Sequence, residues 1–220
     1  MNPASENEQQ THLTSRVSFS RKLHSLLQHK SIGMAKLSSI GKFFVNRSNE
    51  RNGRRFFNTI RDYLTLDETS NCLEIGSGKG SLSYEAFKHY RPKRLVVTDY
   101  DPSQVEAAKS LFASKLGAIP SNIEFRSADA LSLPFENEMF DAVFGMVILH
   151  HVEKHDWQFQ NIPKALDEVR RVLRPGGSFC YTELFNKNRI RSYLTSAGFS
   201  QIFARRNYLI TDSCVYRRMN

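Results

Sequence analysis

The sequence has no apolar run long enough to cross a bilayer. Its longest, Ala142–Leu149, has the length of a buried strand, against the roughly 20 residues that a membrane helix needs. No apolar stretch follows Met1 to form a secretory signal. The Arg-, Lys- and Ser-rich segment after Arg16 has some mitochondrial-presequence character, but Glu6 and Glu8 stand where such leaders avoid acids. Cysteine is scarce: Cys72, Cys180 and Cys214 are odd in number, widely spaced, and in or beside expected strands, which predicts buried, reduced thiols. Metal-ligand spacing is also missing. His150, His151 and His155 are neighbours, but no carboxylate falls at a distance that would complete a triad with them. These absences together predict a cytoplasmic protein without a bound metal.

Acidic residues are in deficit overall, with 22 against 31 Lys and Arg and a formal net charge of +9. The deficit lies at the two ends. Residues 1–64 hold 11 Lys and Arg against 4 acids, and residues 187–220 hold 7 against 1, whereas the middle is mildly acidic. A solvated basic surface accounts for this pattern. So does an anionic partner, such as an anionic membrane touched peripherally, a nucleic acid or an acidic small molecule. Residues 1–15 are polar and read as a disordered leader. Between Val17 and Phe44, Leu23, Leu26, Leu27, Met34, Leu37 and Ile40 recur at irregular helical spacing around Gly33 and Gly41, as short basic amphipathic helices would. Residues 1–50 are therefore expected to form a partly disordered basic extension, and 51–220 the main domain.

Within that domain Phe56, Phe57, Ile60 and Leu64 share one helical face over Asn52–Leu64. From Cys72 onward the pattern alternates. Strands are expected at Cys72–Ile75, Arg94–Thr98, Ile123–Arg126, Ala142–Leu149 and Ser178–Thr182, with helices at Leu82–Tyr90, Pro102–Leu116 and Ile162–Leu173 between them. Pro175-Gly176-Gly177 reads as a turn. A helix at Asn188–Ala197 and strand-like runs at Gln201–Ala204 and Ser213–Tyr216 close the chain. Strands separated by helices of this length imply a parallel α/β sheet with right-handed crossovers.

The sharpest local signal is Leu73-Glu74-Ile75-Gly76-Ser77-Gly78-Lys79-Gly80, at a strand-to-helix junction. Glycines there let the backbone approach a ligand, and the next helix begins with unpaired N–H groups. A Walker A loop is excluded, since its first glycine and its hydroxyl residue after the lysine are replaced by Leu73 and Gly80. A nicotinamide or flavin loop is disfavoured by Ser81 and by the lysine within the loop. The remaining reading has an acid two residues before the first glycine, and Glu74 supplies it. Asp99 ends the Arg94–Thr98 strand at the distance expected of a carboxylate that accepts bonds from ribose hydroxyls.

With these residues the sequence resembles the class I S-adenosylmethionine-dependent methyltransferase family. The likeness continues in order through Val97–Pro102, Ser127-Ala128-Asp129-Ala130, the run from Phe135 to Val152, and Arg170–Gly177, and it is similar to the small-molecule type that includes the ubiquinone and menaquinone C-methyltransferases. It implies a Rossmann-like, mostly parallel seven-stranded sheet of order 3-2-1-4-5-7-6 with helices on both faces. It implies S-adenosylmethionine as cofactor, held by Glu74, Gly76, Ser77, Gly78, Gly80, Asp99, Tyr100, Asp129, Ala130 and Met146, with Asp129 against the adenine. Lys79 departs from the small or polar residue usual at its place. His150 and His151, after the fourth strand, are the candidates for a general base, which methyl transfer needs only when the nucleophile keeps its proton; a packed or capping histidine fits them as well. Gly145-Met146-Val147-Ile148 stands where amino-methylating enzymes carry an Asn/Asp-Pro-Pro-Tyr turn. The expected activity is methylation of a small or amphipathic molecule on O, C or N. An RNA methyltransferase using the basic ends, or a non-catalytic cofactor-binding protein, satisfies the same motifs.

Overall fold

The computed structural model describes residues 49–155, 158–206 and 211–220. The polar leader and basic helices expected over 1–48 lie outside these residues. Asn49–Asn220 form one compact unit. Helix α1 is Asn49–Ile60 and runs into a 3-10 turn, Arg61–Tyr63. There follow β1 (Asn71–Ile75), α2 (Ser81–Tyr90), β2 (Arg94–Asp99), α3 (Pro102–Leu116), β3 (Ile123–Ser127) and β4 (Phe140–Met146). A second 3-10 turn, Leu149–Val152, leads to α4 (Ile162–Val172), β5 (Leu173–Glu183), α5 (Lys187–Ser196), β6 (Phe199–Arg206) and β7 (Asp212–Arg218).

The strands form one sheet of order β3-β2-β1-β4-β5-β7-β6. Pairing is parallel from β3 through β5, and β7 lies antiparallel between β5 and β6. This is the expected seven-stranded Rossmann-like fold. Alternation along each strand sends side chains to two cores. Leu73, Ile75, Val143, Phe179 and Tyr181 face α4 and α5, where Leu166, Val169, Ile190 and Leu194 are buried. Cys72, Val97, Phe144 and Cys180 face the other way, onto Phe56, Phe57, Leu82, Phe87 and Phe112 of α1, α2 and α3. All three cysteines are buried and free, and burial pushes the Cys72 and Cys180 thiols above their ordinary range. No helix among the described residues is long and apolar enough to cross a membrane.

Two local expectations are corrected. The fourth strand stops at Met146, because Val147 adopts φ 59°, a left-handed conformation that strains a β-branched residue. Its N–H donates to Thr182 O at 2.8 Å, and the apolar residues after it enter the 3-10 turn. Pro175-Gly176-Gly177 also does not precede the fifth strand but lies within β5. Phe140 pairs with Leu173 and Ala142 with Ser178, so the extra residues form a bulge on β5, with Gly176 at φ 79°.

Helices α1 and α2 touch where Gly53 meets Ser81. A Cβ at Gly53 would stand 2.3 Å from Ser81 Oγ and 2.9 Å from the Leu82 backbone nitrogen. Alanine for glycine in a helix ordinarily gains about 1 kcal/mol. Here Gly53→Ala is expected to lose roughly 1–3 kcal/mol through overpacking, measured by urea unfolding. A stabilised variant would show that the two helices separate without cost.

Candidate functional site

The expected site residues converge on the C-terminal edge of the parallel strands, where β1 lies between β2 and β4 and the strand order reverses. Open α/β sheets bind ligands in this crevice. The loop after β1 turns through Gly76, Gly78 and Gly80, with φ of 60°, 51° and 74°. A Cβ on Gly76 would come within 2.5 Å of the Ile148 side chain, so this glycine also lets the segment after β4 close over the loop.

Backbone bonds tie the loop to the second strand. Ser77 N–H donates to Thr98 O at 2.9 Å, and Gly78 N–H donates to Asp99 Oδ2 at 2.8 Å. Asp99 Oδ1 accepts from Asp101 N–H at 3.0 Å. The backbone carbonyl of Asp99 accepts from Ala128 N–H, which carries the rim on to the end of β3. There Asp129 Oδ1 accepts from Leu131 N–H at 2.9 Å, and Ala130 packs partly buried against the core. Tyr100, just past β2, is 76 % exposed. Met146 ends β4, half-buried, beside the loop strand. Thus Gly76, Ser77, Gly78, Asp99, Tyr100, Asp129, Ala130 and Met146 share one rim. Gly80 stands behind it, where a Cβ would come within 2.8 Å of the Ala108 side chain of α3.

Glu74 differs. It points away from solvent under α2, with no exposure. Its Oε2 accepts from Ser83 N–H at 3.1 Å and from the Ser83 hydroxyl, whereas Oε1 is buried without a protein partner. The carboxyl therefore closes an otherwise unpaired N–H of the first turn of α2 and positions the loop from beneath. Burial pushes its pKa up to about 8, against the pull of the Ser83 bonds.

His150 and His151 lie in the 3-10 turn after β4, with ring centroids 4.1 Å apart. His150 is buried, and its Nδ1 stands 2.7 Å from Glu183 Oε1. Glu183, the last residue of β5, is not among the site residues expected from the sequence. The rule that selects Asp99, an acid closing a strand, also selects it. No group of three metal-ligating side chains occurs among the described residues.

The buried Glu74 generates a pH prediction. Its folded pKa lies above the unfolded value near 4.5. Between these values the folded state holds a proton that the unfolded state has released, so stability falls as pH rises through the window. A tenfold difference in proton affinity between the two states is worth about 1.4 kcal/mol. The stability of the wild type relative to Glu74→Gln should therefore fall by a few kcal/mol between about pH 5 and pH 9 in urea titrations. A difference independent of pH would mean that the carboxyl ionises within the fold without cost.

Residues 73–181 match the family model described as a methyltransferase domain. A sterol 4-C-methyltransferase of Caenorhabditis elegans is 30% identical over 129 residues, covering 59% of this chain and 35% of that protein. The ubiquinone/menaquinone biosynthesis C-methyltransferase UbiE of Bartonella tribocorum is 34% identical over 118 residues, covering 52% of this chain and 41% of that protein. The chain thus spans less than half the length of these two relatives. Among solved structures, a SAM-dependent methyltransferase from Aquifex aeolicus superposes with a TM-score of 0.59 at 16% identity, covering 85% of this chain and 99% of that one. The matched segment contains the glycine loop, the strand-end acids and the turn after β4, and on these grounds the chain belongs to the class I S-adenosylmethionine-dependent methyltransferase family.

Proposed function

We propose that the protein transfers a methyl group from S-adenosylmethionine to a small or amphipathic molecule. The observation that carries this reading is the hydrogen-bonded rim Gly78–Asp99–Ala128 at the point where the strand order reverses. When bound, the cofactor supplies a methyl group already activated by its attachment to a sulfonium sulfur. The chain's task is then to bind, to orient and to exclude water, which is a gain from proximity.

The residues fit such a group. Each Asp99 oxygen accepts one backbone N–H and keeps capacity for one ribose hydroxyl. Gly76 and Gly78 offer backbone that a larger residue would strain. Tyr100 presents an exposed ring for the adenine, and Asp129 and Ala130 lie at the β3 end where its amino group is expected. Met146 closes the β4 side, Ser77 sits at the tip of the loop, and Glu74 and Gly80 hold the loop from behind.

The names of the relatives, a sterol methylase and a quinone methylase, support an apolar or amphipathic acceptor. Residues 1–50, basic and bearing Leu23, Leu26, Leu27, Phe43 and Phe44, are assigned to its capture or to contact with an anionic membrane. The RNA reading finds less support. Lys187, Arg191 and Arg206 converge on the buried Asp212, and Arg218 bonds to Leu173 O and Glu138, so much of the C-terminal positive charge is engaged within the domain. A cytoplasmic location accords with the reduced cysteines.

Calorimetry tests the assignment. S-adenosylhomocysteine is expected to bind and NAD(H) not to bind at similar concentrations. Asp99→Ala should lower affinity for S-adenosylhomocysteine by at least about tenfold, since charge-assisted hydrogen bonds contribute roughly 1.5–3 kcal/mol each. Binding of NAD(H) alone would reverse the assignment.

A further inference from the structure

The corner where β5, β6 and β7 meet the start of α5 carries charge that the cofactor rim does not use. Asp212 opens β7 and is buried. Three cations from two elements face it: Lys187 Nζ at 3.4 Å and Arg191 Nη2 at 3.2 Å from α5, and Arg206 Nε at 3.7 Å from β6. These separations are long. Arg171 and Glu168, by contrast, meet at 2.8 Å. Arg191 donates to Asp212 through Nη2, and its Nε is buried without a hydrogen-bond partner among the described residues. Glu183, the register partner of Asp212 on β5, is taken up by Leu184 N–H and His150 Nδ1.

A guanidinium carries more N–H donors than a carboxylate has lone pairs, and here two guanidinium groups share one acid. Side by side they repel unless an acid lies between them. Asp212 supplies it from the buried side, whereas the Arg206 side chain is 81 % exposed and that of Arg191 41 % exposed. Solvent therefore meets the forks and not the carboxylate. Planar forks of this kind recognise carboxylate and phosphate oxygens through paired hydrogen bonds. The corner also lies at the edge of the sheet that carries the cofactor rim. Thr182 pairs with Met146 of that rim on one side and with Ser213, next to Asp212, on the other. Two strand spacings, about 10 Å, thus separate the rim from this corner.

We propose that Arg191 and Arg206 bind an anionic group of the acceptor, a carboxylate or a phosphate, and anchor the molecule by it about 10 Å from the cofactor rim. The proposal rests on the methyltransferase reading and names the acceptor class of the same site. Asp212 holds the two guanidinium groups in place from below, and Lys187 adds positive charge beside them. The anchored group is not the one that receives the methyl, so the product keeps its negative charge. The site is compact, unlike the extended row of phosphate contacts that a nucleic acid needs. An amphipathic acceptor fits it, with the charged end at this corner and the apolar body toward Met146.

The test uses the full-length chain and its Arg206→Glu and Arg205→Glu variants. Arg205 is exposed and, one residue away on β6, points to the opposite face, so the two variants change the net charge equally. Calorimetry with S-adenosylhomocysteine comes first; if the wild type does not bind it, the methyltransferase reading itself fails. The arginine Nε–H signals of the loaded protein are then followed by NMR, with Arg191→Lys for assignment, against phenylacetate, neutral phenylacetamide and inorganic phosphate. The Arg191 signal should shift saturably with phenylacetate, which marks a carboxylate anchor, or with phosphate, which marks a phosphate one, and not with phenylacetamide. Arg206→Glu should weaken that binding at least about tenfold, the equivalent of one charge-assisted hydrogen bond. Arg205→Glu should leave it within about twofold, its charge being screened by solvent and salt. Both variants should keep their S-adenosylhomocysteine affinity. Finally, radiolabelled methyl transfer into a total small-molecule extract of the source cells should give a product that an anion exchanger retains at neutral pH. No saturable shift with either anion, equal binding of phenylacetamide, equal losses in the two variants, a loss of cofactor affinity in Arg206→Glu, or an uncharged labelled product would each overturn the proposal.

Discussion

One buried carboxyl holds the first strand, the glycine loop and the second helix in register. Glu74 lies between β1 and the first turn of α2 and bonds to Ser83 there. Thr98, one strand over, donates its hydroxyl to the Glu74 carbonyl at 2.7 Å. The loop between these anchors has little freedom left. Its three left-handed glycines turn it, and Thr98 O and Asp99 Oδ2 hold the N–H groups of Ser77 and Gly78. The cost of burying Glu74 is lowered by keeping it protonated, so an acid serves here as a neutral hydrogen-bonding group.

The architecture is legible in the sequence because two periodicities are clean. Strands such as Arg94–Asp99 are β-branched runs buried on both faces, and helices such as α4 carry one apolar stripe. The sheet order comes from the family likeness, which periodicity alone does not yield. The ends of the fourth and fifth strands differ from expectation for physical reasons. Val147 is an excellent strand former held in a left-handed conformation by its bond to Thr182, and nothing local announces that. Pro175-Gly176-Gly177 has turn chemistry but is accommodated as a bulge because the strand pairs on either side of it.

At the site, spacing locates the loop and the strand-end acids but does not assign what each acid does. Asp99 bonds to backbone on the crevice side, whereas Glu74 is turned beneath α2, and only the side to which each strand directs it distinguishes the two. Glu183 obeys the same strand-end rule as Asp99, but its pairing is not legible in the sequence, since His150 is 33 residues away and no motif joins them. An acid that closes a parallel strand in this fold merits a search for its partner, whatever the surrounding sequence.

The sheet's outer strand β6 has a bearing on the protein in concentrated solution. An open edge strand presents unpaired backbone groups and invites edge-to-edge association. Here β6 carries an irregularity between Gln201 and Phe203, exposed Arg205 and Arg206, and Tyr63 stacked on Phe203 with centroids 4.1 Å apart. A bent, positively charged strand with an aromatic cover is a poor template for another copy. The C-terminal basic residues thus also act as guards against aggregation, by like-charge repulsion that weakens as salt screens it.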